Sequence, residues 1–324
     1  MTRFGIETEI GKAWSSSAPL TATAFLMFAA FIASAAGIFL DDRIITGVPA
    51  WLKPTKFAIS MSIFSGTLAW LYRYISIWPR FVRALGWIVS VVLILELGII
   101  DVQAARGTTS HFNVGTPLDA ALFGIMGAAI AVLWLAIVGL FIALARQRFS
   151  NAAWGWWLRM GMLTTVVGAA AGGLMIRPTP AQIHDLHLHK SISNSGAHTV
   201  GGPDGGPGLP GVGWSTQHGD LRIPHFLGLH GLQILPLIGW LMLRGTSPNN
   251  GTQTKRAFAA TASYFGFIGI LTWQALRGQS LMAPDSATLL AITVWLTATL
   301  LTGVSLMRHA TSPRNAFDAS RRAI

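Results

Sequence analysis

The chain has 324 residues, 52% hydrophobic and 11% charged, and 23 Lys and Arg against 12 Asp and Glu leave a formal net charge of +11. A soluble domain carries roughly 25% charged residues, so this chain could not cover a water-facing surface, and a disordered chain would be richer in charge and poorer in apolar residues. An integral membrane protein is left, and the absence of cysteine excludes disulfides, thiolate nucleophiles, iron–sulfur ligation, thiolate zinc sites and covalently attached c-type haem.

Residues 1–19 read as a cytoplasmic N-terminal leader. Eight mainly apolar runs follow, at 20–40, 57–77, 84–102, 120–145, 154–176, 223–243, 257–276 and 287–307. A membrane-crossing helix needs roughly 20 such residues. None of the runs alternates with period two, as barrel strands would. Lipid requires backbone polar groups to be satisfied internally, which selects helices. The expected fold is therefore all-α: a polytopic transmembrane bundle of about eight helices, forming one domain over 20–310, with a cytoplasmic tail at 311–324. The first run has a rival reading as a cleavable signal, because Arg3 and Lys12 precede a stretch ending in Ala33-Ser34-Ala35-Ala36. Its continuation to Leu40, and Glu7 and Glu9 in the leader, favour a retained helix.

Positive charge sets the orientation. Arg43, Lys53, Lys56, Arg106, Arg177, Lys190, Arg222 and Arg277 fall in connections on one side, and the other 15 of the 23 on the side of the N-terminus. Both termini are expected in the cytoplasm of a bacterial-type inner membrane, and the +11 is mostly this address. Nucleic acid is excluded as a partner because the basic residues are spread over all the connections. The lipid bilayer is the expected partner.

The outward connections differ. Residues 41–56 are amphipathic, are broken by Pro49 and Pro54, and are expected along the surface. Residues 177–222 form the one long loop, of the kind that is usually functional or disordered. Within it, 201–210 is rich in glycine and proline and reads equally as a fixed cap over a cavity or as a turn-rich linker.

Candidate chemistry gathers on this side. Eight of the nine histidines fall there: His111, His184, His187, His189, His198, His218, His225 and His230. Imidazole is the commonest metal ligand, so His111, His225, His230 and the cluster His184, His187 and His189 are candidate ligands. Glu96 sits inside the third run, about 9 Å below its outer end at 1.5 Å per residue, and an ionisable group in a membrane helix is a functional hypothesis by default. His230 reaches similar depth from the sixth run, so Glu96 and His230 are the expected catalytic pair if those helices touch. Gln103, Arg106, Asp204, Arg222 and Gln233 are expected to bind substrate around them. Asp119, Arg177, Gln274 and Arg277 gather at the same level, as the rim of a vestibule roofed by the long loop. The stretch 168–173, rich in Gly and Ala, instead reads as a close-packing face for a neighbouring helix.

These features favour a transition-metal or b-type haem protein with a redox role, haem needing only axial His and an apolar slot. The alternatives are a proton-coupled transporter using Glu96, although no inverted halves with matched broken helices are visible, and a membrane enzyme acting on a small-molecule or lipid-linked substrate.

Overall fold

The computed structural model describes residues 3–243 and 250–311; the connection 244–249 and all but Thr311 of the tail expected at 311–324 lie outside them. The described chain is mostly helical, with α1 (Arg3–Ser16), α2 (Ala18–Leu40), α3 (Leu52–Leu71), α4 (Pro79–Ala105), α5 (Pro117–Arg146), α6 (Ala152–Ala171), α7 (Pro180–His187), α8 (Arg222–Leu229), α9 (Gly231–Leu243), α10 (Asn250–Leu276) and α11 (Ser286–Thr311). Two small hairpins interrupt them: β1 (Ile44–Ile45) with β2 (Val48–Pro49), and β3 (Thr199–Val200) with β4 (Gly219–Asp220), both antiparallel. Helix α2, α4, α5 and the Ser286–Met307 part of α11 are each long and apolar enough to cross a membrane, and α8 with α9 makes a fifth if the bent pair is one span. Helices α3, α6 and α10 occupy the other three apolar runs and are less apolar.

Consecutive helices pack as antiparallel neighbours, α2 on α3 and α4 on α5. Helix α6 lies against α8, α9 and α10, and α11 leans on α10 through a Ser263–Thr299 hydroxyl pair at 2.7 Å and Trp295 Nε1 donating to Ser263 O. The central core runs through Leu20, Leu68, Leu93, Leu140, Leu158 and Leu232. Large apolar side chains such as Leu135, Leu290 and Leu300 point outward, as lipid rather than water would allow.

Residues 41–56 fold into the β1–β2 hairpin and the first turn of α3, which starts at Leu52 and so brings Lys53 and Lys56 into the helix. One sequence expectation is corrected: the run 223–243 is not one helix but bends by 51° between α8 and α9 at His230. Gly228 and Gly231 flank the break, and glycine is a usual cause of a sharp kink. The backbone groups released there are recovered by Thr165 of α6, whose hydroxyl donates to Leu229 O at 3.1 Å and accepts from Leu232 N at 3.1 Å. Tyr264 Oη donates to Leu227 O at 2.7 Å. Such internal satisfaction is what broken helices at membrane depth require.

The stretch 168–173 packs as expected. Gly168 meets Gly228 so closely that a Cβ on Gly168 would fall 2.2 Å from Gly228 C. Helix α8 therefore seats on α6 backbone to backbone. Gly168→Ala should destabilise the protein by about 1–3 kcal/mol, the cost of overpacking. Gly124→Ala, at a helical position with nothing within 4 Å of the new Cβ, should be neutral or stabilising by up to about 1 kcal/mol. Thermal unfolding in detergent reads both, and equal midpoints for the two variants would refute the seat.

Candidate functional site

The C-terminal half of α4 and the N-terminus of α3 lie side by side, with the loops 106–116 and 177–222 above them. Glu96 is 1% exposed, and its Oε1 has no hydrogen-bond partner among the described residues. The charge nearest in effect to Glu96 is Lys53. Lys53 and Lys56 stand in the first turns of α3, where the helix dipole disfavours cations. That placement was the sequence signal for Lys53, and it was missed. Lys53 Nζ lies 3.1 Å from His111 Nδ1, and the Phe57 ring lies beside both, its centroid 5.8 Å from Nζ and 5.6 Å from the imidazole centroid. Among the described residues no carboxylate lies within ion-pair distance of Lys53 Nζ. Burial, with the Lys56 and Arg222 cations adding to it, pushes the Lys53 amine down to about 7. Lys56 is brought to about 8, by burial first and then by Arg222.

The 106–116 loop presents His111. Ser110 Oγ is 3.1 Å from the same Nδ1, and Asn113 ties the loop internally through Thr108 Oγ1, Thr109 O and Gly115 N. Phe112 is buried at φ +64°, a region costly for a bulky side chain. It is held there because Ser195 N donates to Phe112 O and Val114 N to Ser193 O, pairing this loop with the long one. The Phe112 ring meets His111 and, at 4.8 Å between centroids, His198. Backbone strain of this kind collects at functional sites.

The 177–222 loop is folded on itself through two carboxylates, Asp204 and Asp220. Asp204 accepts from Thr199 N at 2.8 Å, from His198 N at 3.1 Å and from His198 Nδ1 at 2.8 Å. Burial opposes ionisation of Asp204, yet the His198 ring and these amides hold its carboxyl well below the usual range. Asp220 repeats the device: it accepts from Ser215 N and Arg222 N and pairs with Arg222, whose Nη2 reaches Gly213 O. Gly205 at φ +93° lies over Gly47 at φ +78°, where a Cβ on Gly47 would meet Gly205 O at 2.7 Å. Lys56 Nζ donates to Val212 O at 2.7 Å. The glycine-rich segment is thus pinned to the β1–β2 hairpin and to α3.

His225, at the entry to α8, donates through Nδ1 to Gly168 O at 2.7 Å. His111, His198 and His225 lie within electrostatic reach of one another. They form no metal site here: among the described residues no group of three or more His or carboxylate side chains is placed to hold an ion. Two surface grooves, at Trp78–Phe81 and between Trp14 and Trp87, sit toward the other end of α4, and neither is lined by histidine.

Several expected roles are corrected. Glu96 and His230 do not pair: His230 caps α8 and packs on Phe226 at 4.4 Å, while α4 packs on α2, α3 and α5. Gln103 and Arg106 are committed to structure. Gln103 Nε2 donates to Asp119 Oδ1 at 2.9 Å, Arg106 Nη1 reaches the same oxygen at 2.7 Å and also Gln103 Oε1, and Thr116 caps α5 beside them. Arg222 is held by Asp220, and Asp204 by the loop's own amides. Gln233 Nε2 donates to Thr67 Oγ1 at 3.1 Å. His184, His187 and His189 are exposed on and just after α7, away from the other imidazoles. His198 was noted only as one of the eight, and its pairing with Asp204 depends on a turn of the loop. Compared with family models, curated proteins and solved structures, the chain matches none.

Burial holds His111 well below the usual histidine value, with the Lys53 cation adding to it, and burial lowers His198 against the pull of Asp204. Both rings are therefore harder to protonate in the folded chain than in the unfolded one. The unfolded chain takes up protons first as pH falls through about 6.5, so stability drops with acidification below that point. Asp204, depressed in the fold, adds a loss in the same direction below about 3.9. The thermal midpoint should fall between pH 7.5 and 5.5, and His111→Asn and His198→Asn should each flatten that slope; a slope unchanged in both variants would refute this.

Proposed function

We propose that the chain is a multi-pass protein of a bacterial-type inner membrane, crossing it eight times with both termini in the cytoplasm. In this reading the chamber under the 177–222 loop faces outward and carries out acid–base chemistry on a small polar or lipid-linked substrate. The Lys53–His111 contact carries the reading: two basic nitrogens 3.1 Å apart, one of them brought to about 7, share a proton near neutral pH. A base is most effective when its basicity lies near the working pH. Glu96 supplies a further buried proton acceptor or donor, and the ordered cap excludes bulk water. The orientation rests on the 15 to 8 excess of positive charge and on a helix or helix pair at each of the eight apolar runs.

A second reading, a proton-coupled carrier, is favoured by one observation: the Glu96 carboxyl is buried with an unpartnered oxygen. In the acid–base reading, purified protein incubated with a polar-metabolite and lipid extract should consume a component that His111→Asn consumes at least about 100-fold more slowly, since positioned acid–base groups contribute roughly 10²–10⁴-fold. Mass spectrometry of the extract reads this. Glu96→Gln should instead abolish solute-driven proton flux in vesicles if the carrier reading holds. A metal role has less support, since among the described residues no group of three or more His or carboxylate side chains is placed to hold an ion. A stoichiometric metal or a haem absorption band lost in His111→Asn and His225→Asn would favour that role over the acid–base reading.

The threading is checked separately. Reporters fused at either terminus should be active only in the cytoplasm, and one inserted within 201–210 only outside; any reversed pair would refute the orientation.

A further inference from the structure

Lysine side chains are usually found either in water or against a carboxylate, because a buried unpaired ammonium is costly. Lys53 has neither arrangement. It is half-buried, lies under the cap, faces the Phe57 ring and has an imidazole nitrogen as its hydrogen-bonding neighbour. The helix N-terminus behind it and the Lys56 and Arg222 cations near it all disfavour its charged form. Its neighbour Lys56 differs: that ammonium is engaged by Val212 O. His111 is in turn oriented by Ser110 and wedged by Phe112. A nucleophile, a base within hydrogen-bond reach and a third group that orients the base form the general signature of covalent catalysis, and a desolvated lysine beside other cations is one of its forms.

We propose that Lys53 is an amine nucleophile that forms a Schiff base with an aldehyde or ketone admitted beneath the cap. The lone pair of the neutral amine attacks the carbonyl carbon, and one N–H proton passes to His111 Nδ1 while the carbonyl oxygen is protonated to give a carbinolamine. The imidazolium returns its proton to the hydroxyl, the C–O bond breaks, and water leaves as the second N–H proton passes to the carboxylate of Glu96, restoring that acid, and the C=N bond forms. The balance is amine plus carbonyl giving imine plus water, and hydrolysis reverses it with no redox partner. Glu96, buried with an unpartnered oxygen and within electrostatic reach of Lys53, is the group placed to donate the proton to the carbonyl oxygen. This inference rests on the acid–base reading above.

The test uses the full chain in detergent at pH 7 and compares Lys53 with Lys190, an exposed lysine 61% accessible at its side chain. Propanal and pyruvate are the two carbonyl probes, each with sodium cyanoborohydride, and adducts are located by peptide mass spectrometry. Lys53 should acquire a reduced adduct at least tenfold faster than Lys190 with one of the probes, and His111→Asn should remove that advantage while leaving the Lys190 rate unchanged. A Lys53 rate equal to or below that of Lys190 with both probes overturns the proposal. Acetic anhydride labelling separates the two levels of inference. If Lys53 is acylated faster than Lys190 in a His111-dependent way but no imine is trapped, only the Schiff-base proposal falls. If Lys53 resists both reagents, the acid–base reading of this chamber falls with it.

Discussion

The carboxylates of Asp204 and Asp220 hold the cap, and the site depends on that closure. Each sits in a loop and accepts backbone N–H groups that would otherwise be orphaned. A long connection with buried backbone polar groups is stable only when those groups are paired. Charge-assisted hydrogen bonds of this kind are roughly twice as strong as neutral ones. Because Asp204 also holds the His198 ring and Asp220 holds Arg222, ordering the loop and placing its side chains over α3 are one event. The desolvation of Lys53 follows from that closure.

The second anchor lies between α6 and α8. Gly168 and Gly228 let α6 and α8 approach at backbone distance, and that approach brings His225 Nδ1 to Gly168 O and Thr165 into the break before α9. Small residues at the contact, a hydroxyl filling the gap in the helix and an imidazole on a free carbonyl are local answers to one requirement: no backbone polar group can be left exposed to lipid. The bend at His230 is therefore supported at Leu227 O, Leu229 O and Leu232 N.

Much of the architecture was legible in the chain. The apolar runs, the glycine stretch as a packing face and the long connection as a distinct element all follow from length, hydrophobicity and small-residue spacing, which act locally. The site was legible only in part. Glu96 and His111 stood out because an acid inside an apolar run and a histidine beside one are conspicuous in one dimension. Lys53 and His198 did not, because a lysine in a connection and a histidine in a loop are ordinary until the fold removes their water. The expected Glu96–His230 pair failed because equal depth along two helices does not make them neighbours. Gln103 and Arg106 read as binding groups in one dimension because the sequence gives no view of Asp119 folding back onto them.

The sequence by itself determined that this is a helical membrane-type chain without cysteine chemistry, with its polar and imidazole groups concentrated at one end. Composition and run length suffice for that, because the free energy of placing a segment in lipid is nearly a sum over its residues. The tertiary structure alone decided which polar groups remain available for chemistry. Availability depends on what each group meets across the fold. Asp119 consumes Gln103 and Arg106, Asp220 consumes Arg222, and Gly168 consumes one nitrogen of His225. Lys53 is left against an imidazole, with no carboxylate at ion-pair distance among the described residues.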